Sequence, residues 1–185
     1  MAVNKEPDLE HFLSIPWCAK LLNDPVFTIT PTISRIRKGT TEDAFIAETL
    51  QTPDTIKAWT SFYKTPRSSN TLIEELHALL TLGYRINGHP NIAHGGFLSV
   101  IMDEVMGSLL YINVMQRVMS AQKTFTAYLN VTYKKPVPTP GTVLVSVWFR
   151  EVTGRKCLIE GAVKDADGNV LTRAEGLFVG TQVKL

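Results

Sequence analysis

The stretch HGGFLSVIMDEVMGSLLYINV, residues 94–114, is the most apolar part of the chain. Its apolar side chains cover most sides of a helical wheel, which is typical of a helix buried in a protein core. The run is near membrane-spanning length, at roughly 20 residues. It carries Asp103 and Glu104 near its middle, and an aspartate at a bilayer centre costs about 2.5–3.5 kcal/mol. The sequence therefore predicts a buried helix and no membrane span.

After this helix the pattern changes to apolar residues at every second position, which predicts strands. We predict strands at residues 125–134, 142–150, 156–164 and 169–181. The connecting turns contain Gly141, Gly154 and Gly168, so we expect consecutive strands to pair as an antiparallel meander. An antiparallel sheet needs a cover for its apolar face, which the long helix provides. The predicted fold class is α+β, with a long central helix wrapped by an antiparallel β-sheet.

The part of the chain before the helix is less regular. Residues 6–22 predict one or two short amphipathic helices, and residues 27–37 and 43–49 are interpreted as strands. Residues 53–63 follow a Thr-Pro-Asp pattern that is typical of a helix start. Residues 72–82 are apolar enough for a helix or a buried strand, and periodicity does not decide between them.

Length and charge narrow the functional classes. The 185 residues correspond to about one domain. The net charge is 19 − 17 = +2, and the pI of 8.5 lies below the value of about 9 that marks a nucleic-acid-binding domain. Cys18 and Cys157 form neither a disulfide framework nor a cysteine-type zinc site. Residues 1–10 are acidic and resemble no targeting segment, so we expect a cytoplasmic protein. The chemistry considered below calls for no metal or redox cofactor.

The helix start carries the chemistry. Gly95 and Gly96 let the backbone approach a ligand closely, and the first helical amides have no internal partner. Such a tip is a ready anion or oxyanion site, although His94-Gly95-Gly96 alone could be an ordinary loop. Asp103 falls two turns into the apolar helix, where a lone carboxylate is costly and invites a functional explanation. Glu104 could equally belong to a solvated stripe.

Residues 94–103 resemble the HGG(x)6D signature of hotdog-fold acyl-CoA thioesterases. They are similar to the phenylacetate-type and thioesterase-superfamily-member branch of the 4-hydroxybenzoyl-CoA thioesterase superfamily. The segments TAYLNVTYKKP at 126–136 and VTGRK at 152–156 also match, in register over about residues 72–180. Residues 1–70 resemble the longer N-terminal part of uncharacterised fungal members. The resemblance implies a hotdog thioesterase domain at 26–185 after an N-terminal helical extension at 1–25.

The resemblance also implies roles for individual residues. Asp103 would be the general base or nucleophile at the thioester carbonyl, and the Gly95 amide would hold the oxyanion. His94 would orient or polarise the carbonyl, and Thr126 occupies the place of a Ser or Thr that positions the water or the aspartate. In the family, His-Gly comes from one subunit and the acid with its Ser or Thr from the other. Some members carry Asn or Gln six residues before the histidine, where this chain has Gly88.

Basic residues are concentrated in the predicted sheet. From position 123 to 164 there are seven basic and two acidic residues. We expect hairpin geometry to bring together Lys134, Lys135, Arg155 and Lys156 as a phosphate site for CoA; as an alternative, they only solubilise strand ends. Further candidate substrate-binding residues are Gly96, Asn91 and Phe97.

The function predicted by this resemblance is hydrolysis of a fatty or aryl acyl-CoA by a homodimer or homotetramer with active sites at the dimer interface. Because a fold does not determine a function, two alternatives stay open. One is a biosynthetic hotdog protein that releases or cyclises a carrier-bound acyl chain. The other is an acyl-CoA-binding module without catalytic activity, against which the retained Asp103 argues.

Overall fold

The computed structural model of the chain describes residues 7–68, 70–120 and 123–181. Its helices are α1 (Pro7–Leu13), α2 (Pro16–Leu22) and α3 (Gly95–Met115). Its strands are β1 (Phe27–Thr30), β2 (Ile56–Lys64), β3 (Glu75–Leu82), β4 (Asn87–His89), β5 (Ile92–Ala93), β6 (Thr124–Tyr133), β7 (Gly141–Thr153), β8 (Lys156–Lys164) and β9 (Val170–Gly180).

A seven-stranded antiparallel sheet surrounds α3, with the strand order β1-β2-β3-β7-β8-β9-β6. The helix contacts five of these strands, and Met102 and Met106 are fully buried against them. Glycine allows the closest approach: a Cβ at Gly161 would lie 2.6 Å from Met102 Cε, and one at Gly176 would lie 3.0 Å from Met106 Sδ. A long central helix wrapped by an antiparallel sheet is the hotdog fold, so the predicted fold class is confirmed.

The long apolar helix is a core element, as its sequence predicts. α3 is long and apolar enough to cross a membrane, with a mean hydropathy of 1.4 over its most apolar window. Its apolar side chains, however, form the centre of the main core cluster together with those of the sheet. Asn113, which is fully buried, donates to the Ile73 carbonyl and accepts from the Ile73 N–H. These bonds anchor the end of α3 to the segment before β3.

The strand that follows α3 pairs differently from the prediction. β7, β8 and β9 form the expected meander, but β6 pairs with β9 at the edge of the sheet rather than with β7. The connection from β6 to β7 is therefore a crossover. Its backbone bonds explain this path, because Val137 accepts from Ala93 N–H and Thr139 donates to the Asn91 carbonyl, both beside the start of α3.

Several predictions before α3 are wrong. The strand predicted at 27–37 ends at Thr30 and is followed by a short 3₁₀ turn, and residues 43–49 contain a π-helical turn at Phe45–Thr49. The helix predicted at 53–63 is strand β2, which is buried on both faces and rich in β-favouring side chains. The ambiguous segment 72–82 becomes β3.

The two predicted N-terminal helices are present and pack on the outer face of the sheet. Phe12 and Cys18 contact Phe62 and Leu79 in a second core cluster, separate from the one around α3. Asp8 accepts a hydrogen bond from Trp59 N–H at 2.9 Å and pairs with an arginine at 3.0 Å. The helices therefore cover the part of the outer face formed by β2 and β3.

Candidate active site

The start of α3 presents a backbone donor, the Gly95 N–H, to the site. His94 precedes the helix in an extended conformation, and its Nδ1 accepts the Gly96 N–H at 2.9 Å. Within the part of the chain that the structure describes, the Gly95 N–H has no acceptor, as expected for the first residue of a helix. Because Nδ1 accepts, the neutral imidazole carries its proton on Nε2 and can donate from there. Both donors lie at the positive end of the helix dipole.

Gly88, the position that departs from the family pattern, packs against His94. A Cβ at Gly88 would come within 2.9 Å of His94 Cδ2, so the imidazole ring occupies the space that a side chain would need there. Asn91 is an exposed turn residue with a φ of +59° whose carbonyl accepts from Thr139 N–H. The polar role that some family members give to the position of Gly88 has no side chain here.

Asp103 and Thr126 form the second part of the site. The Thr126 hydroxyl donates to Asp103 Oδ1 at 2.7 Å. A β-bulge at Ala127 explains this contact, because the register of β6 shifts between Thr126 and Tyr128. Strict alternation would put Ala127 on the helix side; the extra residue turns Thr126 towards α3 instead, while Ala127 is exposed. The predicted pair is therefore brought together.

These two parts do not meet within one chain. Gly95 and Asp103 are eight residues apart on the same helix, which corresponds to about 12 Å along its axis. One thioester carbonyl cannot contact both the Gly95 N–H and the Asp103 carboxylate at this separation. Each chain thus contains two half-sites, one with His94 and Gly95 and the other with Asp103 and Thr126.

The sequence model of the thioesterase superfamily matches residues 90–172, which contain both half-sites. Over this range the chain is similar to the thioesterase superfamily. It is 32% identical over 98 residues to acyl-coenzyme A thioesterase THEM4 of Mus musculus, covering 52% of this chain and 39% of THEM4. It is 23% identical over 142 residues to the uncharacterized mitochondrial membrane protein FMP10 of Saccharomyces cerevisiae, covering 76% of this chain and 55% of FMP10.

A solved structure has a similar fold. The protein SAV2348 from Staphylococcus aureus, in complex with CoA, aligns with a TM-score of 0.51 and 17% identity, over 56% of this chain and 68% of that chain. This likeness concerns the fold. The chain spans about two fifths of the length of the mouse relative.

Tyr133 is a residue beside the start of α3 that sequence reasoning missed. Its hydroxyl donates to the Gly95 carbonyl at 2.9 Å and lies 2.9 Å from Ser99 Oγ. The ring packs so closely that a Cβ at Gly95 would lie 3.2 Å from Tyr133 Cζ. Period-two alternation puts Tyr133 on the same strand face as Leu129 and Val131, but it does not indicate a contact with the helix start. Tyr133 fixes the first turn of α3 against β6.

The basic residues do not form one cluster within the chain. Lys134 and Lys135 follow β6 and bond through their N–H groups to the Leu171 carbonyl. Arg155 and Lys156 lie at the β7–β8 turn, beside the opposite end of β6. The two groups are about 30 Å apart, from nine residues of strand at ~3.3 Å each. The predicted hairpin is absent because β6 pairs with β9 and not with β7.

The remaining candidates have other surroundings. Phe97 is 9% exposed and belongs to the core cluster, and the Gly96 N–H is occupied by His94. Glu104 is not part of a solvated stripe: burial raises the pKa of its carboxyl, an effect that the neighbouring Ser34 hydroxyl partly opposes. Among the residues described, no group of three His, Cys, Asp or Glu lies close enough to hold a metal ion.

Proposed function

We propose that the protein is an acyl-CoA thioesterase that hydrolyses its substrate to a free acid and CoA. The observation that carries this proposal is the Asp103 carboxylate held by Thr126 on a helix whose first residue, Gly95, offers an unpaired N–H. The name of the mouse relative supports the activity. The CoA bound to the Staphylococcus aureus protein supports CoA as the thiol carrier.

The proposal includes a homodimer, because the half-sites need a second copy. The outer edge of β6 has no partner strand among the described residues, and it carries exposed Phe125, Tyr128 and Tyr133. Exposed edge strands pair readily with another chain. Antiparallel pairing of two β6 strands sets the Tyr133 end of one beside the Thr126 end of the other. Since Tyr133 contacts Gly95 and Thr126 contacts Asp103, a two-fold dimer completes two sites.

The same dimer would bring the two groups of basic residues close together. Antiparallel pairing brings Lys134 and Lys135 of one subunit towards the end of β6 that neighbours Arg155 and Lys156 in the other. Phosphates prefer such a cluster, which supports a CoA site shared by two subunits. A homotetramer is the alternative assembly, but α1 and α2 cover part of the outer sheet face that could otherwise join two dimers. The mass of the protein in solution distinguishes the two.

The reaction follows from the completed site. As the thioester carbonyl is attacked, negative charge develops on its oxygen, and one well-placed amide donor such as Gly95 N–H contributes about 2.7–4 kcal/mol. His94 Nε2–H donates to the substrate at the same helix end. Asp103 of the other subunit either takes a proton from a water that attacks the carbonyl carbon, or attacks that carbon itself and forms an anhydride that water then hydrolyses to the free acid. Thr126 holds one carboxylate oxygen so that the other faces the substrate, and CoA leaves as a thiolate that takes up a proton.

Loss of thioester absorbance tests the activity with acyl-CoAs, acyl-carrier-protein thioesters and a short-thiol ester. We expect turnover of acyl-CoAs with a lower KM than for the short-thiol ester. Preferential turnover of the carrier-protein thioesters would support the biosynthetic alternative. Binding of acyl-CoA without any turnover would support the non-catalytic module and contradict the proposal.

The cellular location is part of the proposal. We infer a cytoplasmic protein from its residue composition, and a mitochondrial location is the alternative because the yeast relative FMP10 is named a mitochondrial membrane protein. Microscopy of the full-length protein with a C-terminal fluorescent tag decides between them. The division into an extension at 1–25 and a thioesterase domain at 26–185 belongs to the same proposal, and limited proteolysis tests it.

A further inference from the structure

A cavity of about 940 Å³ lies between α3, the start of β6 and a segment at residues 30–43. It begins beside the second half-site, since Glu104 and Phe125, the chain neighbours of Asp103 and Thr126, line it. It follows α3 as far as Gln116, which is about 18 Å along the helix axis. The cavity thus begins next to the half-site and extends well beyond it.

Gly107 makes room for this cavity. Glycine in a helix interior costs roughly 0.5–1 kcal/mol relative to alanine. At Gly161 and Gly176 that cost has a packing reason, because a Cβ would collide with methionines of α3. At Gly107, by contrast, a Cβ would meet no atom within 4 Å, and Gly107 lines the cavity. A side chain at position 107 would therefore fit the fold, and the glycine there has no packing reason.

The lining of the cavity is mainly apolar away from the half-site. Leu110, Tyr111 and Met115 line it towards the end of α3. Of the charges near its start, Lys38 Nζ lies 2.6 Å from Asp43 and 3.1 Å from Glu42, and Lys123 is exposed beside Phe125. Protein interiors contain few voids larger than a water molecule, whereas ligand pockets have volumes of about 300–1,000 Å³. The size and lining fit a long, flexible apolar ligand.

We propose that this cavity holds the acyl chain of the substrate, and that the protein selects long-chain fatty acyl thioesters over aryl or short-chain ones. This inference rests on the proposed thioesterase activity. With the carbonyl at Asp103, the chain passes Phe125, follows α3 across Gly107 and ends near Met115. The opposite wall, residues 30–43, lies outside the residues that the superfamily model matches, so this chain supplies it from its own N-terminal part.

The test is a series of substitutions at Gly107 measured with butyryl-, octanoyl- and palmitoyl-CoA. We expect kcat/KM of the wild type to be highest for palmitoyl-CoA. Gly107→Ala, Gly107→Leu and Gly107→Phe should lower it progressively, by about tenfold or more for Gly107→Phe, because lost contacts in an apolar pocket cost 10- to 200-fold. Turnover of butyryl-CoA should change much less. Ala166→Phe, which adds the same bulk at the exposed β8–β9 turn, should leave the selectivity unchanged.

A second variant covers the case in which Gly107→Phe does not fold. Met115 is 62% exposed at the far end of the cavity, so Met115→Asp should fold and should raise KM for palmitoyl-CoA but not for butyryl-CoA. An unchanged ratio of palmitoyl- to butyryl-CoA turnover in the folded variants overturns the inference.

The failure of the proposed activity is distinguishable from the failure of this inference. If the wild type hydrolyses no acyl-CoA, calorimetry with palmitate still tests the cavity. Binding of palmitate to the wild type that Met115→Asp weakens supports an apolar-chain site without the activity. No binding of palmitate in that case overturns the inference as well.

Discussion

The two half-sites lie at opposite ends of β6 and are held in different ways. At one end, Tyr133 bonds to the Gly95 carbonyl and fixes a backbone donor. At the other, a bulge turns Thr126 towards α3, where it bonds to the Asp103 carboxylate and fixes a reactive side chain. One edge strand thus positions both groups, although they are about 12 Å apart on the helix. The difference supports the proposal that the chain needs a second copy of itself to complete a site.

Loss of the reactive carboxylate should have the largest effect. Asp103→Asn keeps the shape of the side chain and removes the base or nucleophile, so kcat should fall by up to about 10⁴-fold. The loss of thioester absorbance with palmitoyl-CoA measures kcat, and calorimetry checks that the variant still binds CoA. Asp167→Asn, on the exposed β8–β9 turn, is the matched control. Near-wild-type turnover by Asp103→Asn would remove the assignment.

The backbone donor can be removed without removing the helix. Proline lacks an N–H and is well accepted at the first helical position, and the extended backbone of His94 suits a residue before proline. Gly95→Pro should lower kcat by about 10²–10³-fold, the effect of losing one oxyanion donor. Gly95→Ala introduces a similar Cβ contact with Tyr133 but keeps the N–H, so it should lose far less. Equal losses in both variants would mean that crowding, not the N–H, matters.

The hydroxyl that holds the acid should matter less than the acid. Thr126→Val keeps the side-chain shape and removes a hydrogen bond to a charged group, which contributes about 1.5–3 kcal/mol. We expect kcat to fall by about 10- to 100-fold with KM nearly constant. Thr126→Ser retains the hydroxyl and should recover most of the loss; if it behaves like Thr126→Val, the hydroxyl does not position Asp103.

The smallest loss of activity is expected from removing the Tyr133 hydroxyl, which bonds to the Gly95 carbonyl. Tyr133→Phe removes a neutral hydrogen bond of about 0.5–1.5 kcal/mol, so kcat should fall by roughly two- to tenfold while KM is retained. Tyr84→Phe, in the turn after β3, removes a hydroxyl that bonds to Asp54 instead and serves as the control. A rise in KM with unchanged kcat would indicate that Tyr133 contacts the substrate rather than the helix start.

The sequence predicts those features of the fold and site that depend on residues close together in the chain. The length of α3, the strands β7–β9 and the motif residues His94, Gly95, Asp103 and Thr126 follow from periodicity and from the family resemblance. The position of β6 does not, because it depends on backbone bonds between the crossover and the loop before α3, which are distant in sequence. Without that position, neither the contact of Tyr133 nor the separation of the basic residues could be foreseen.

The wrong predictions before α3 also concern segments whose structure depends on contacts with distant parts of the chain. The Thr-Pro-Asp pattern at residues 52–54 predicts a helix start, but the following segment is buried on both faces between β1 and β3. Tertiary burial outweighs the local signal there. Gly107 falls within a correctly predicted helix, and its role depends on residues 30–43, which contain the part of the strand predicted at 27–37 that is not a strand.

Complementation between two inactive chains tests the composite site most directly. Asp103→Asn and Gly95→Pro chains are unfolded, mixed in equal amounts and refolded, and the mixture is assayed with palmitoyl-CoA. If each site combines Gly95 of one subunit with Asp103 of the other, every mixed dimer contains one intact site, and activity should recover to roughly a quarter of wild type. Activity that stays at the level of the two parent proteins, with mixed dimers present by mass, would contradict the account.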